Sequence, residues 1–390
     1  MKKLKTVRLG IIGVGGMGLN HARYLQAEKI RNAALTAVAD LDPARLALFQ
    51  EPVQRFPSAE ALMDSGAVDA VLIATPHYAH TGIGIAALQR GLHVLVEKPI
   101  SVHKADAERL IAAHRNRKQV FSAMFQQRTS SHFRKVKDLI DRGELGELLR
   151  VTWVITDWFR SDYYYQTGDW RATWAGEGGG VLLNQCPHQL DLLQWFCGMP
   201  KRVTAFCSLG KRHAIEVEDE VTAYLEYPNG ATGVFITTTG EAPGTNRLEL
   251  AGEKGKLTVE DGKISFIRNE IPVSEFSRTS QASFAVPPVW NIDVPAGPNT
   301  GGHATVTQNF VDAIVDGVPL IAPAREGIRS VELGNAMLFS GLTGKPVDLP
   351  MDGRIYERKL RELIRTSRFR KRKTKSTGPQ DLSGSFRMAP

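Results

Sequence analysis

The chain is poor in cysteine, with only Cys186, Cys197 and Cys207 in 390 residues. So sparse and odd a set argues against a disulfide framework and fits a reducing compartment, and its spacing offers no paired metal ligands. Long apolar runs are missing too. The stretch Val7–Ile12 behind the basic start is short, carries Arg8 and runs into glycines. It reads as a first buried strand rather than a secretion signal. Nothing approaches the roughly 18 apolar residues that span a bilayer. The expectation is a soluble, cytoplasmic protein with no membrane partner and no metal site. There is no internal repeat. Charge excess is also absent from the first 350 residues: residues 351–390 hold twelve Lys or Arg against four Asp or Glu, so the whole net charge of +8 lies there. The basic run Arg368–Lys375 has one aromatic, Phe369, and no nucleic-acid module around it. It reads as a solvated tail, and nucleic acid is not an expected partner.

What is present is alternation. Short apolar runs at Val7–Ile12, Leu35–Ala39, Val68–Ala74, His93–Val96 and Val120–Met124 are separated by helical patterns at Met17–Glu28, from Pro76 through Leu88, and at Ala105–Arg115. Continuous apolar strands between helices mean a parallel sheet covered on both faces. From about Leu148 strands dominate: Leu149–Ile155, Val203–Ser208, Val221–Tyr227, Gly233–Thr239, Arg247–Ala251, Lys256–Val259 and Lys263–Ile267, with hairpin signals at Pro228-Asn229-Gly230 and Asp261-Gly262. A helix over Val181–Cys197 interrupts this second sheet, which is antiparallel or mixed. Residues 268–302 are expected to form a long surface excursion, followed by helices at His303–Asp316 and Arg325–Leu342. The fold class is α/β. Residues 1–125 form a dinucleotide-binding domain, 126–350 a substrate-binding and oligomerisation domain with a largely antiparallel open sheet, and 351–390 a basic extension.

Gly13-Val14-Gly15-Gly16-Met17-Gly18 stands between the first strand and the first helix. Gly13 makes the turn, Gly15 lets backbone approach a pyrophosphate, and Gly18 lets the helix pack on the sheet. The helix N-terminus then offers free N–H groups to phosphate. A lone glycine fingerprint is a weak signal. This one has a strand before it, a helix after it, and Asp40 ending the next strand, placed to bind ribose hydroxyls. No basic residue directly follows Asp40, the next being Arg45, which favours NAD over NADP.

Two further stretches carry chemistry. Glu97-Lys98-Pro99 follows the strand His93–Val96 at its carboxyl end, where doubly wound sheets bind ligands, so Lys98 enters the cleft. Gly178-Gly179-Gly180 leads to Asn184, His188 and Asp191, spaced four and three apart, which places all three on one helical face. An imidazole of near-neutral pKa held by polar neighbours suits proton removal from a carbinol. Alone, a helical histidine is more often structural; beside Lys98 and the glycine turn it reads as catalytic.

With these residues in view the chain resembles the glucose-fructose oxidoreductase/inositol dehydrogenase family, Gfo/Idh/MocA, over roughly residues 6–350. The resemblance rests on the glycine turn, Thr75-Pro76 with His80, Glu97-Lys98-Pro99, and the segment from the triple glycine to His188-x-x-Asp191. It implies a Rossmann domain, a second α/β domain whose open sheet supports a homodimer or homotetramer, a nicotinamide cofactor, and sugar or cyclitol substrates. It implies Lys98 and His188 as the catalytic pair, and Thr75, Pro76, His77, His80, Glu97 and Lys98 beside the cofactor along with Gly13, Gly15, Gly16, Met17, Gly18 and Asp40. Two positions depart from the family pattern. Asn184 stands where many members have Asp, so it is assigned to binding a substrate hydroxyl. His77 stands where many have Asn.

The substrate pocket is expected to draw on Gln126 and Arg128, and on Tyr164, Asp169, Trp170, Arg171 and Trp174, since aromatic faces beside polar tips suit a sugar ring. Asn184 and Asp191 complete the set. His21, His132, His213 and His303 show no partner in the sequence and are taken as structural. The expected activity is hydride transfer between NAD and a ring hydroxyl or ketone of a sugar, glycoside or cyclitol, for instance at C3 of a glycoside. The rivals are a glycoside hydrolase that retains its NAD and a non-catalytic sugar- or dinucleotide-sensing regulator.

Overall fold

The computed structural model describes residues 6–371 apart from Asp169; Asp169 and residues 372–390, with half of the basic run, lie outside them. The first sheet takes its strands from β1 (Val7–Ile12), β2 (Ala33–Ala39), β3 (Gln54–Phe56), β4 (Ala70–Ile73), β5 (His93–Val96) and β6 (Phe121–Ala123). Between them run α1 (Gly16–Gln26), α2 (Pro43–Leu46), α3 (Ala59–Asp64), α4 (His77–Gln89) and α5 (Lys104–Ala113). All strand pairs are parallel, in the order β3-β2-β1-β4-β5-β6. Their register places Ile12, Ala39, Ile73 and Val96 in one row. The residues immediately after these strands (Gly13, Asp40, Ala74 and Glu97) therefore emerge along a single edge, where the strand order reverses and a crevice opens.

After α6 (Ser131–Asp141) comes the second sheet: β7 (Leu148–Ile155), which α7 (Asp162–Gln166) follows, then β8 (Arg202–Leu209), β9 (Glu218–Glu226), β10 (Thr232–Thr238), β11 (Asn246–Gly252), β12 (Gly255–Glu260), β13 (Lys263–Asn269), β14 (Val289–Val294) and β15 (Val347–Asp348). Its order is β14-β13-β12-β11-β7-β10-β9-β8-β15, antiparallel throughout except where β7 meets β10. Burial alternates along the strands, as a half-covered sheet requires. One face packs Trp153, Phe235 and Leu257 against α8 (Pro187–Cys197) and α11 (Gly327–Thr343). On the other face Phe206 is 76% and Tyr224 45% exposed.

Three segments differ from expectation. Residues 268–302 are not a loose excursion: α9 (Val273–Thr279) and the edge strand β14, paired along its length with β13, lie inside them. The helix expected over Val181–Cys197 begins only at Pro187, the first-turn position at which proline is tolerated, and residues 178–186 form turns. The extension is not all tail, because α12 (Gly353–Thr366), capped by the Asp352 carboxylate on Arg354 N at 3.0 Å, buries Tyr356 and Leu360 completely or nearly so.

The chain also doubles back. From α10 (His303–Asp316), Val306, Phe310 and Val311 enter the apolar cluster beneath β1 with Leu9 and Ile11. Burying side chains of this size stabilises by about 2 kcal/mol each. Lys104 of α5 donates to Glu332 of α11 and to the Met351 carbonyl, both at 2.7 Å, where neither end is open to water. Among the described residues no helix is long and apolar enough to cross a membrane.

Candidate active site

Gly13 takes φ +87°, and a Cβ there would lie 2.9 Å from the Ala74 carbonyl; a Cβ on Gly18 would lie 1.9 Å from the Gly13 oxygen. Only glycine lets α1 start this close to the sheet. The first turn of α1 has no side-chain cap, and a Cβ on Gly15 would meet only Arg45 Nη1, at 3.5 Å. Uncapped N–H groups with room in front of them fit a pyrophosphate. Thr75 Oγ1 and His77 Nδ1 on the neighbouring turn are buried and have no partner, as polar atoms awaiting a ligand do. Asp40 holds its carboxylate at the rim: Oδ2 accepts from Val14 N at 2.8 Å and Oδ1 from Asp42 N at 2.9 Å, with Arg45 Nη1 3.5 Å away. Gly13, Gly15, Gly16, Met17, Gly18, Asp40, Thr75, Pro76 and His77 thus lie along one edge, and a dinucleotide fits them.

His80 and Glu97 do other work there. His80 Nδ1 and Nε2 each lie 2.8 Å from a carbonyl, of Pro99 and Thr75, so the ring braces the two turns and is closed to a cofactor. Glu97 is buried with Oε1 on His21 Nε2 at 2.7 Å and Oε2 accepting from Lys98 N at 3.2 Å. Burial works to raise its pKa, but the His21 hydrogen bond and the His21, His303 and Lys98 charges outweigh it and hold the carboxyl at about 2. His21 continues to Tyr24 OH at 2.6 Å, and Tyr24 to Thr307 at 2.7 Å. The Glu97 partner, 76 positions away, leaves no local mark in the sequence; Tyr24, three residues on along α1, is a local partner that sequence reasoning missed.

Lys98, on a cis peptide with Pro99, points its ammonium at the Asn184 carbonyl, 2.8 Å away. Burial depresses its pKa. Asn184 lies in the turn ahead of α8, not on the helix, and its amide nitrogen donates to Glu177 Oε1. Glu177 is 1% exposed, and its Oε2 accepts from Ala172 N at 2.7 Å. Sequence reasoning missed Glu177; its place immediately before the triple glycine, seven residues from Asn184, is the one trace available. The turn itself is gripped from β9: Glu218 O accepts from Val181 N at 3.0 Å and its carboxylate from Leu182 N at 3.1 Å. A Cβ on Gly180 would lie 2.0 Å from that carbonyl, so the glycine is a packing requirement.

His188 sits in the first turn of α8, buried, edge-on to Phe125 at 6.1 Å, with Nδ1 unpartnered. Burial first, and the Lys98 charge second, hold the ring well below the usual imidazole range, so it is neutral and able to accept a proton. His77 is depressed by the same burial; its ring meets Trp170 at 5.1 Å. Arg171 lies over both Trp170 (4.6 Å) and Tyr164 (4.9 Å), and Gln185 Nε2 donates to Tyr164 OH at 3.2 Å. The aromatic loop is thus tied to the turn after β4 through His77 and to the turn ahead of α8 through Gln185. Lys371 pins it from outside, donating to the Gly168 carbonyl and to the Arg171 carbonyl at 3.0 Å, so this lysine is not part of a merely solvated run. Gln126 carries a buried, unpartnered Oε1. Asp169 lies outside the described residues.

Three assigned substrate contacts are corrected. Arg128 and Asp191 are 2% and 0% exposed and bound to each other, with Glu326 on the far side of the guanidinium at 2.6 Å; they lie beneath the site. Since α8 starts at Pro187, Asp191 points into the protein rather than sharing a face with Asn184. Trp174, 3% exposed, is a core residue whose backbone carbonyl accepts from Tyr78 OH at 2.7 Å.

Comparison with known proteins bears on the fold and the cofactor. Residues 7–125 match the model of an oxidoreductase family with an NAD-binding Rossmann fold, and residues 133–258 match the GFO/IDH/MocA C-terminal domain. An inositol 2-dehydrogenase of Rhizobium meliloti is 26% identical over 347 residues, 86% of this chain and 97% of that protein. One from Arthrobacter sp. (strain FB24) is 35% identical over 283 residues, 66% and 78% respectively. Among solved structures, the WlbA dehydrogenase from Bordetella pertussis in complex with NADH and UDP-GlcNAcA superposes with a TM-score of 0.77 at 26% identity, covering 89% of this chain and 99% of that one.

Proposed function

The chain belongs to the Gfo/Idh/MocA oxidoreductase family, and on that footing we propose that it moves a hydride between NAD and a ring hydroxyl or ketone of a sugar, glycoside or cyclitol. The observation that carries this is the Lys98 ammonium held on Asn184, within Coulombic reach of a neutral His188, at the edge where the glycine turn of α1 stands. Bound nicotinamide supplies the hydride acceptor. The chain supplies the rest. Lys98 orients the reacting oxygen and stabilises the negative charge that grows on it. His188 accepts the hydroxyl proton and returns it in the reverse direction. Trp170, Tyr164 and Arg171 offer flat faces to the ring. The names of the similar proteins, inositol 2-dehydrogenases and a dehydrogenase holding NADH and a sugar nucleotide, support a polyhydroxylated ring.

The test is reduced-cofactor absorbance with purified protein, NAD and a panel of inositols, sugars and glycosides. Growth with one compound, absent in Lys98→Ala and His188→Ala, is the expected result. No growth with any of them, while NAD binds, would sink the reading.

Two further features belong to it. The exposed Phe206 and Tyr224 on the open sheet face support association of identical copies as a dimer or tetramer, checked by light scattering. Three unpaired thiols support a cytoplasmic location, checked by fractionation.

A further inference from the structure

Asn184 could in principle present either end of its amide to a ligand. Glu177 removes the choice. The Asn184 nitrogen faces the carboxylate; burial raises the Glu177 pKa, while the hydrogen bonds from Ala172 N and Asn184 and the Arg171 charge favour its ionised form, which only accepts. Glu177 itself cannot swing away: it is buried, and its second oxygen accepts from Ala172 N at 2.7 Å, while its backbone nitrogen is bound to the Thr173 carbonyl at 2.9 Å. The other oxygen, Asn184 Oδ1, has no hydrogen-bond partner among the described residues, and Asn184 is half-buried. The backbone carbonyl of the same residue holds the Lys98 ammonium at 2.8 Å. One residue thus anchors the cationic donor through its backbone and offers, in its side chain, an acceptor with no donor capacity.

We infer that Glu177 is a positioning residue that makes Asn184 a one-way acceptor, so that the substrate must carry a hydroxyl adjacent to the reacting carbinol. The inference rests on the reading of the chain as a ring-hydroxyl dehydrogenase and narrows it to vicinal diols. The reacting oxygen takes a hydrogen bond from Lys98, and the neighbouring hydroxyl gives one to Asn184 Oδ1. A deoxy carbon leaves that acceptor unmet, and an ether or ketone places lone pair against lone pair. Sites built to bind a hydroxyl discriminate far better against its absence than apolar pockets do against a methylene.

The test uses binding and turnover in parallel. Probes are myo-inositol, levoglucosan and methyl glucosides, each with its monodeoxy and mono-O-methyl derivatives. Binding to the protein saturated with NADH is measured by calorimetry, and oxidation is followed with NAD. For the parent ring that binds, the derivative altered next to the reacting carbon is expected to bind and turn over at least about a hundredfold worse. Glu177→Ala is expected to shrink that ratio at least tenfold, while NADH affinity stays as in the wild type. Glu177→Gln has one acceptor oxygen for the two donors Ala172 N and Asn184 Nδ2, so it too is expected to shrink the ratio. A merely structural role for Glu177 would lower stability and leave the ratio alone. Equal binding of diol and deoxy compound overturns the inference, as does a ratio unchanged in Glu177→Ala. Discriminating binding without oxidation supports the inference and defeats the dehydrogenase reading; oxidation without discrimination does the opposite. Binding of none of the parent rings defeats both.

Discussion

Arg128 and Asp191 meet as a two-pronged ion pair, Nε on one carboxylate oxygen and Nη2 on the other, each at 2.7 Å, with both side chains closed to water. Arg128 comes from the turn after β6 and Asp191 from α8, so the pair ties that turn to the helix that carries His188. Removing one partner strands the other charge in the interior. Asp191→Ala should cost about 3–5 kcal/mol of unfolding free energy by denaturant titration. A substrate-binding role would instead raise KM with stability intact.

Lys98→Ala and His188→Ala should each lower kcat by about 10²–10⁴-fold. NADH binding, followed by fluorescence, should persist, because neither side chain touches the glycine turn. The His188 ring is depressed below the ordinary 6.5, so the acidic limb of the kcat/KM profile should lie below pH 6.5. A limb above that value would show that another group is the base.

Glu218 titrates in the opposite sense from most carboxylates. Burial pushes it up to about 7 from an ordinary 4.5. The folded state therefore holds its proton more tightly than the unfolded chain does. That contribution is fully present below about pH 4.5 and is lost as pH rises through about 7. Relative to Glu218→Gln, wild-type melting temperature should fall between about pH 5 and pH 8. Parallel curves for the two proteins across that window would contradict the assignment.

Asp40 and Arg45 lie 3.5 Å apart at the rim of the glycine turn. The carboxylate opposes a phosphate on the ribose 2′-oxygen, and Arg45 would welcome one. Asp40→Ser should shift the preference, measured as the ratio of kcat/KM values, from NAD toward NADP on the order of tenfold, about 1.4 kcal/mol. Arg45→Ala in the same background should reverse the gain.

The sequence was most readable where one residue's job is set by its chain neighbours. Gly13 to Gly18 and the apolar strands around them could be placed because a tight strand–helix turn has a local signature. The partners of His21, Asp191 and Glu177 could not. His21 and Glu97 are 76 positions apart, and Arg128 and Asp191 are 63 apart. Polar residues in a cleft look the same in sequence whether they face a ligand or each other. The helical spacing of Asn184, His188 and Asp191 misled for a specific reason: the segment ahead of Pro187 is shaped by the grip of Glu218 on glycines, and hydrogen bonds from a distant strand outrank local periodicity. In α12, Tyr356 and Leu360 repeat at four residues, a pattern masked by the basic residues between them.

The return of α10 to the first sheet has a consequence for how the protein is made. Val7, Leu9 and Ile11 leave the ribosome some three hundred residues ahead of Val306, Phe310 and Val311, which complete their cover. Until then the nascent nucleotide-binding half carries an unfinished apolar face, and closing it needs a contact of very long sequence separation, the slowest kind to form. The growing chain is therefore a natural client for a holding chaperone over that interval, and a fragment ending near residue 125 should collect in inclusion bodies rather than bind NAD.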